Sequence, residues 1–445
     1  MSASSALAAI LRDIDASPVA GLPSALSVLR RRTLIASADR TALDAWSSRL
    51  LAALRGPVPE ARCAAAALLG ETVRQCAEPD FSRHREVWTA ALLHLLQPVG
   101  EGAASEAAVA AATSVRLAAA ETLAQMATTV AAWPAERREF SGAISRLASA
   151  LVSMLGASAT QQGSLLVLSR LLRAAPHSLR AHREKLGELL PAVVLDASAS
   201  SARGAAALLG ALPSCLPAAT TEEAWLVTVQ RLVGTMHSAL GLVLGSVSSR
   251  PPVRYALPAY ALPADTQQLV AAPPSAGSAA ATAAGSGGGS GAAAAAALRR
   301  RTALVQVVTR CALALHCCLC PPTPPSDAAA ALPVPIDLLL MTATHVLGVD
   351  GTLPLRTPSA DALPPADVLL VLPDAHIAAM QLLHSTLSCA KRHCLGHVRP
   401  RRLERGPLLS APSDCTFAYF LGLCGRSAAG APLGDAISIR RCNLH

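Results

Sequence analysis

Aromatic side chains are nearly absent from this chain of 445 residues, since phenylalanine, tryptophan and tyrosine together make up 2% of it. Proteins that bind single-stranded nucleic acid stack the bases on aromatic rings, so the composition argues against a base-stacking surface. A hydrophobic core must then be built from aliphatic and small side chains, which favours closely packed helices.

Lysine is scarce as well, because Lys185 and Lys391 are the only lysines in the chain. A phosphate-binding P-loop needs a lysine followed by serine or threonine, and here Leu186 and Arg392 follow, which excludes that motif. The metalloprotease pattern His-Glu-x-x-His and the hydrolase pattern Gly-x-Ser-x-Gly are also missing. The glycine-rich run at 285–291 follows no strand, so it does not indicate a dinucleotide site. We expect a protein that is not an enzyme and needs no cofactor.

The charge is positive, with a formal net charge of +9. This balance suggests an acidic partner, but nearly all of the base is arginine in a chain biased towards Arg, Ala, Gly and Pro, so it is weak evidence for nucleic-acid binding. Short basic runs lie at 30–32, 299–301 and 399–402. Each fits a nuclear-import or RNA-contacting patch as well as it fits a solvated helix edge, and direct RNA contact is left open.

Signals for secretion and for membrane insertion are weak. The first residues have no basic region before a short apolar run, so we expect the protein to stay inside the cell. The most apolar stretches, Trp225–Val247 and Thr302–Cys320, carry Arg231 and Arg310 near their middles. Because such charges are costly in lipid, we expect core helices and no membrane contact.

Hydrophobic residues make up 52% of the chain, and they recur at three- and four-residue steps with no strand signal between them. Comparable helix pairs begin at intervals of roughly 40 to 50 residues, the range of HEAT and armadillo repeats. The pattern predicts an all-α fold, an α-solenoid of HEAT- or armadillo-like helical hairpins with a disordered insertion. In the first part of the chain we predict helices at 24–35, 43–54, 62–76, 85–97, 115–130 and 137–155.

The stretch 161–247 gives the clearest helix signals. Pro176 should stop one helix, and Leu179–Val193 should form the next, kinked at Pro191 rather than broken there. Thr220 and Glu223 have the spacing of a capping box, which predicts that a long helix begins at Thr220.

The pattern breaks at 250–297, where a Pro- and Tyr-containing segment leads into an Ala, Gly and Ser run. Helices should resume at 298–320, 334–347 and 374–394, and after Val398 the periodicity is lost. That loss leads us to expect an incomplete or mis-spliced carboxyl end. The predicted organisation is a helical-repeat region at 1–247, a flexible insertion at 248–297, continued repeats at 298–397 and an irregular carboxyl end at 398–445.

Cysteine and histidine cluster in two places. The first cluster lies between Cys311 and Cys320. Its adjacent helical residues point apart, and no second Cys-x-x-Cys pair is present. We therefore interpret it as buried structural cysteine rather than a zinc site. The second cluster has four-residue steps, but we expect the helix to end at Gly396, which favours a polar helix end. We expect no metal at Cys311, His316, Cys317, Cys318 and Cys320, or at Cys389, His393 and His397.

Three Leu-x-x-Leu-Leu boxes begin at Leu92, Leu168 and Leu186. This spacing lets a helix dock into a hydrophobic groove of a partner. In a leucine-rich solenoid the same spacing arises from core packing, which we prefer, and partner binding through these leucines is the alternative.

Specific spacings resemble the Rix family of pre-ribosomal factors, which includes the proline-, glutamic acid- and leucine-rich proteins. The resemblance spans about Arg62 to Val398 and is looser in its first half, at Ala61–Gly70 and Gly163–Pro217. It is carried by Trp225, Leu232, Val233, Met236, His237, Leu240 and Gly241, by Leu332–Ile336 with Pro335, and by Pro373–His376 with Ala379, Leu382 and Leu383.

This resemblance implies a helical-repeat scaffold without catalytic residues in the nucleus, nucleolus and nucleoplasm. The family acts in maturation of the large ribosomal subunit, including removal of an internal spacer from pre-rRNA. The implied partners are a WD-repeat propeller protein, a second helical-repeat protein, the AAA ATPase midasin and the pre-large-subunit particle. The family's further carboxyl-terminal helices and acidic tail have no counterpart after Val398, so tail-dependent contacts are not implied.

Two other functions fit the same pattern, because a solenoid fold alone does not specify a function. One is a generic armadillo-like adaptor, such as a transport or chaperone cofactor. The other is a nuclear-receptor-type transcriptional coregulator that uses the Leu-x-x-Leu-Leu boxes. Burial of those leucines would remove the basis for the second.

Overall fold

The computed structural model describes residues 2–97, 105–196, 199–247, 257–271, 290–320, 334–349 and 362–394, and these residues form helices and no strand. The chain divides into two units, Met1–Thr386 and Leu387–His445. In the second unit the described residues are 387–394, which are helical, and all packing described below lies in the first.

The α-helices vary in length and are joined by short loops through most of the first unit. Three 3-10 segments, Ile35–Ser37, Pro176–His182 and Leu212–Cys215, lie between them. The helices are α1 Ala3–Ala16, α2 Pro18–Arg31, α3 Arg40–Arg55, α4 Pro59–Gln75, α5 Glu78–Leu95, α6 Glu106–Val130, α7 Pro134–Met154, α8 Ser158–Ala174, α9 Arg183–Asp196, α10 Ala199–Ala211, α11 Ala218–Leu244, α12 Ala264–Ala271, α13 Ser290–Leu319, α14 Ile336–Leu347 and α15 Pro365–Cys394.

Successive helices pair and stack in two layers. The even helices α2, α4, α6, α8 and α10 contact one another in that order, and so do α1, α3, α5 and α7 in the other layer. After α10 the even layer continues with α13, which also pairs with α11. This arrangement confirms the prediction of an all-α, HEAT-like solenoid, because each pair buries its apolar face against the next pair.

Most of the aromatic side chains that the structure describes lie in the odd layer. The Phe81 and Trp133 rings lie 5.5 Å apart, and Phe140 and Trp88 contact Phe81 edge-on. The indole N–H of Trp88 donates to the Ser47 hydroxyl at 2.7 Å. The rings thus join α3, α5 and α7 and satisfy a polar group that burial would otherwise leave unpaired.

Elsewhere the core depends on small side chains that let helices approach closely. A methyl group added to Gly210 of α10 would lie 2.9 Å from the Cys317 carbonyl oxygen of α13. That spacing is too short for an ordinary contact, so glycine is required where α10 and α13 touch.

Several predicted helix bounds were wrong. Helix α11 begins at Ala218, and the Thr220 hydroxyl donates to the Pro217 carbonyl, so Thr220 is not a cap. The stretch predicted as one helix from Leu179 to Val193 is a 3-10 segment followed by α9, and α9 continues through Pro191 to Asp196. The amino-terminal helix α1 was missed.

The predicted insertion at 248–297 contains ordered structure. Residues 257–263 pack on α11, α12 follows them and contacts α13, and α13 begins at Ser290 rather than at 298. The Ala-rich composition hid these elements because it has no apolar periodicity. The predicted carboxyl-terminal region 398–445 lies outside the described residues.

Among the residues that the structure describes, three helical stretches have the length and apolar composition of a membrane-crossing helix: Glu106–Val130, Ala295–Leu319 and Pro365–Ala390. In the folded chain, 61% of the most apolar window of Ala295–Leu319 is buried. Within that stretch the Arg310 guanidinium donates to the Leu195 carbonyl at 2.6 Å. The apolar face of α13 is thus covered by other helices of the same chain.

The core predicts a contrast between two leucines of α8. Leu168 is fully buried, whereas Leu166 is 65% exposed. Leu168→Ala should lower the free energy of unfolding by about 2–5 kcal/mol, because the cavity is closed on all sides. Leu166→Ala should change it by less than about 0.5 kcal/mol. Urea unfolding followed by circular dichroism measures both, and equal losses would contradict the described packing of α8.

Candidate functional site

The histidine joint, defined by His237, His316 and His376, is where α11, α13, α14 and α15 are connected. Each of the three rings forms a hydrogen bond with a residue on, or just after, a helix other than its own. Two of these histidines, His237 of α11 and His376 of α15, have partners that lie on α14 or just after it.

His237 of α11 reaches Thr342 of α14. Its Nε2 lies 2.8 Å from the Thr342 hydroxyl, and that hydroxyl donates to the Leu338 carbonyl at 2.7 Å. Since the hydroxyl hydrogen is used, the Nε2–H of His237 must be the donor. Burial lowers the pKa of His237 to about 4, and His345 nearby adds to the effect. The ring is therefore neutral at physiological pH and acts as a hydrogen-bond donor.

His316 of α13 forms the same kind of hydrogen bond with a hydroxyl of α15. Its Nδ1 lies 2.8 Å from the Ser385 hydroxyl, which donates to the Gln381 carbonyl at 2.6 Å. The Nδ1–H of His316 is therefore the donor. An ion pair between Arg301 and Asp367, with nitrogen and oxygen 3.2 Å apart, joins the same two helices nearer the start of α15.

His376 of α15 fixes the end of α14. Its Nε2 donates to the Val349 carbonyl at 3.0 Å, two residues beyond the last residue of that helix. At the other end, Pro335 occupies the cap position before Ile336. Pro373 lies inside α15 on its exposed side, where its missing N–H removes one helical hydrogen bond.

The motif residues of α11 face inward. The indole N–H of Trp225 donates to the Cys318 carbonyl of α13 at 3.2 Å, and Leu232 and Met236 are buried. Gly241 has nothing within 4 Å of its Cβ position, so packing does not require a glycine there. Residues predicted from three separate stretches, 225–241, 335 and 373–376, are thus brought around α14 by the fold.

A cavity of about 540 Å³ opens between α13 and α15 beside the joint. Its walls combine aliphatic side chains with ring edges and one amide. The lining residues are Leu313, His316, His376, Ile377, Met380, Gln381 and His384.

Three cysteines near the joint, Cys311, Cys317 and Cys318, are buried. Burial raises the pKa of Cys311 to about 12 and that of Cys317 to about 11, and it raises the pKa of Cys318 as well. Thiols of this kind hold almost no thiolate at neutral pH. Within the described ranges no group of three or more His, Cys, Asp or Glu side chains is placed to hold a metal ion, and His397 of the second cluster lies outside those ranges.

The Leu-x-x-Leu-Leu boxes are part of the core. Leu92, Leu168 and Leu186 are each 0% exposed, which corrects the alternative that they bind a partner. The spacing arises here because a helix in this fold buries one stripe against its neighbours.

The three basic runs fall in different surroundings. Arg30, Arg31 and Arg32 are exposed at the end of α2. In the second run Arg300 is buried and Arg301 is paired with Asp367, so that run is not a free basic patch. The run at 399–402 lies outside the described residues.

Sequence reasoning missed the polar contacts that connect the helices. Ser385 and Thr342 are ordinary helical residues whose hydroxyls bond the carbonyl four residues back. Nothing in the sequence around a histidine indicates that a hydroxyl of another helix will accept its hydrogen bond. The one hint was the presence of histidine within highly apolar helices.

Stacked helix pairs joined by buried neutral hydrogen bonds define the class: this is a helical-repeat protein of the α-solenoid type. Residues 6–201 match the model of the RIX1 family, which is described as rRNA processing/ribosome biogenesis. The resemblance to the Rix family is therefore confirmed over those residues, and the match supports a role in rRNA processing or ribosome biogenesis. The family and the fold are non-catalytic in kind. The motifs around Trp225, Pro335 and Pro373 lie beyond the matched region.

No curated protein matches the chain. Among solved structures, a crystal structure of importin beta is 10% identical, with a TM-score of 0.46, over 89% of this chain and 46% of that one. A mutant of Kap121p is 12% identical, with a TM-score of 0.32, over 88% of this chain and 46% of that one. An engineered protein is 13% identical, with a TM-score of 0.26, over 87% and 99%. The chain spans about half the length of the importin beta and Kap121p structures.

The joint predicts a pH dependence of stability. Folding lowers the pKa of His237 from 6.5 to about 4. Between pH 4 and pH 6.5 the ring is therefore protonated in the unfolded chain and neutral in the folded chain. The free energy of unfolding should therefore decrease as the pH falls from 6.5 to 4, by at most about 3 kcal/mol and less where water reaches the ring.

The variant His237→Gln keeps an N–H donor but does not titrate, so it should lose this part of the pH dependence. Urea unfolding of both proteins at pH 7 and pH 4.5 gives the comparison. An identical loss in the two proteins would show that His237 is not the group responsible.

Proposed function

We propose that this protein is a non-catalytic scaffold of a nuclear pre-ribosomal complex that acts in maturation of the large ribosomal subunit. Within that process it would serve processing of the internal spacer of pre-rRNA. The observation that carries the proposal is the family match over residues 6–201, which falls on the helix pairs from α1 to the start of α10.

A helical-repeat array suits this task physically. Each pair contributes helix ends and one exposed helical face, so successive pairs present a long surface to several partners at once. Such binding depends on dispersed contacts and requires no bond chemistry. The neutral ring of His237 and the buried thiols near the joint agree with a role in holding helices together.

The partners proposed from the family resemblance are a WD-repeat propeller protein, a second helical-repeat protein, midasin and the pre-large-subunit particle. The proposed location is the nucleus, with both nucleolus and nucleoplasm. The proposed domain organisation keeps a repeat region before 248 and a second one after 290, with residues 257–263 and α12 between them.

A generic adaptor role without ribosomal partners is the remaining alternative. The coregulator alternative depended on the Leu-x-x-Leu-Leu boxes, and their first leucines are buried. The adaptor and the scaffold differ in what they bind and not in fold, so the test must identify the partners.

The test is sedimentation of the epitope-tagged full chain from nuclear lysate, followed by mass spectrometry of the heavy fractions. We expect the chain to sediment with precursors of the large subunit and with the propeller and midasin partners. Depletion of the protein should at the same time cause pre-rRNA that retains the internal spacer to accumulate, as measured by northern blotting.

Two variants of α8 form a matched pair, one on the surface as the control and one in the core. Leu166→Asp changes an exposed residue of α8 and should sediment like the native chain, whereas Leu168→Asp puts a charge into the core and should lose the heavy fractions. A folded native chain that stays in the light fractions with other partners would favour the adaptor and contradict the scaffold.

A further inference from the structure

The strap, defined as residues 257–263, lies against α11 in the way that a bound peptide lies on a receptor. It has no helix of its own. Its two prolines restrict the residues before them to extended backbone, so the segment is stiff before it binds.

The strap backbone is recognised by one hydroxyl of α11. The Tyr260 N–H donates to Thr235 Oγ1 at 2.8 Å, and Thr235 donates its own hydrogen to the Arg231 carbonyl at 2.9 Å. Thr235 is fully buried. The Thr235 side chain thus accepts the hydrogen bond of a strap N–H that would otherwise need a backbone carbonyl as its acceptor.

The Tyr260 side chain is recognised separately. The guanidinium carbon of Arg231 lies 5.7 Å from the centre of the tyrosine ring, within the range of a cation–π contact. Burial raises the pKa of Tyr260, and the neighbouring Arg231 and Thr228 side chains partly offset that rise. Thr228, Arg231 and Thr235 lie at three- and four-residue steps, so they share one face of α11.

The backbone of the Leu257–Pro258 pair fits against α11 because Gly234 has no side chain. At Gly234 of α11 a Cβ atom would overlap the Pro258 carbonyl oxygen and would lie 3.2 Å from Leu257 Cβ. Glycine in the middle of a helix is unfavourable, and here it leaves the space that the Leu-Pro pair occupies. A different residue at this position would close the groove.

From these contacts we infer that the face of α11 formed by Thr228, Arg231, Gly234 and Thr235 is a peptide-binding groove for Leu-Pro-x-Tyr segments. The strap is its internal occupant. The contacts are made to the strap backbone, to Leu257 Cβ and to the Tyr260 side chain, so none depends on the strap belonging to the same chain. A segment of the same pattern in another protein fits the groove once the strap leaves it. This site is additional to the proposed scaffold function and does not rest on it.

The strap has an advantage over a free peptide in binding to the groove, because it belongs to the same chain. A tethered segment is held at a high effective concentration, so it excludes a free peptide unless its own contacts are weakened. The groove in the native protein should therefore be closed to peptides, and release of the strap should open it.

The test uses the full chain and a fluorescein-labelled peptide with the sequence of residues 257–263. A released variant carries Leu257→Ser and Tyr260→Ser, which weaken the strap and leave α11 unchanged. Fluorescence anisotropy should show that this variant binds the peptide at least tenfold more tightly than the native chain does. A peptide with alanine in place of tyrosine should bind at least tenfold more weakly.

A blocked variant adds Gly234→Ala to the released variant. Alanine favours the helix, so α11 should stay folded while the groove is closed, and peptide binding should be lost. A released variant that keeps the native circular dichroism but binds no peptide would overturn the proposal. Equal binding to the released and blocked variants would overturn it as well.

If the released variant loses helix content, Gly234→Ala in the otherwise native chain gives an independent readout. The added methyl group should displace the strap, and chymotrypsin should then cleave after Tyr260 at least tenfold faster, with unchanged circular dichroism. An unchanged rate of cleavage at this bond, followed by mass spectrometry, would contradict the assignment of the groove.

Discussion

The structure depends on one constraint: each pair of helices has an apolar face that only a neighbouring pair can cover. A chain with few aromatic residues meets this constraint by bringing helices close together on small and aliphatic side chains. Gly210 against the backbone of α13 is the clearest case. Because each pair relies on the next, the order of pairs along the chain is also their order in space from α1 to α10.

Where the order along the chain is interrupted, polar contacts secure the pairing. The partner of α11 is α13, which follows only after the strap and α12. The Trp225 indole, the Thr235 hydroxyl and the His237 ring each bind a group that lies far away in the sequence. These bonds are neutral, so burial does not carry the desolvation penalty of charges. A scaffold that must keep its shape while it binds several partners benefits from such connections.

The candidate site was predictable in part. Trp225, His237, Pro335 and His376 were singled out from the sequence as motif residues, and the structure brings their stretches together around α14. Their contacts could not be foreseen, because hydrogen bonds across 105, 93 and 27 residues leave no trace in local periodicity. The strap was hidden for a related reason. Its Pro- and Ala-rich sequence resembles a linker, and its contacts with α11 leave no mark on the local pattern.

The sequence by itself determined the class of fold and the approximate positions of most helices, because apolar periodicity and proline stops act over one or two turns. It also carried the resemblance to a ribosome-biogenesis family. Only the tertiary structure decided that the Leu-x-x-Leu-Leu boxes are core, that α11 starts at Ala218 and that α11 pairs with α13 across the strap. The reason is that burial and pairing depend on which surfaces meet, and the same leucine spacing serves a helix whether its stripe faces the core or a partner.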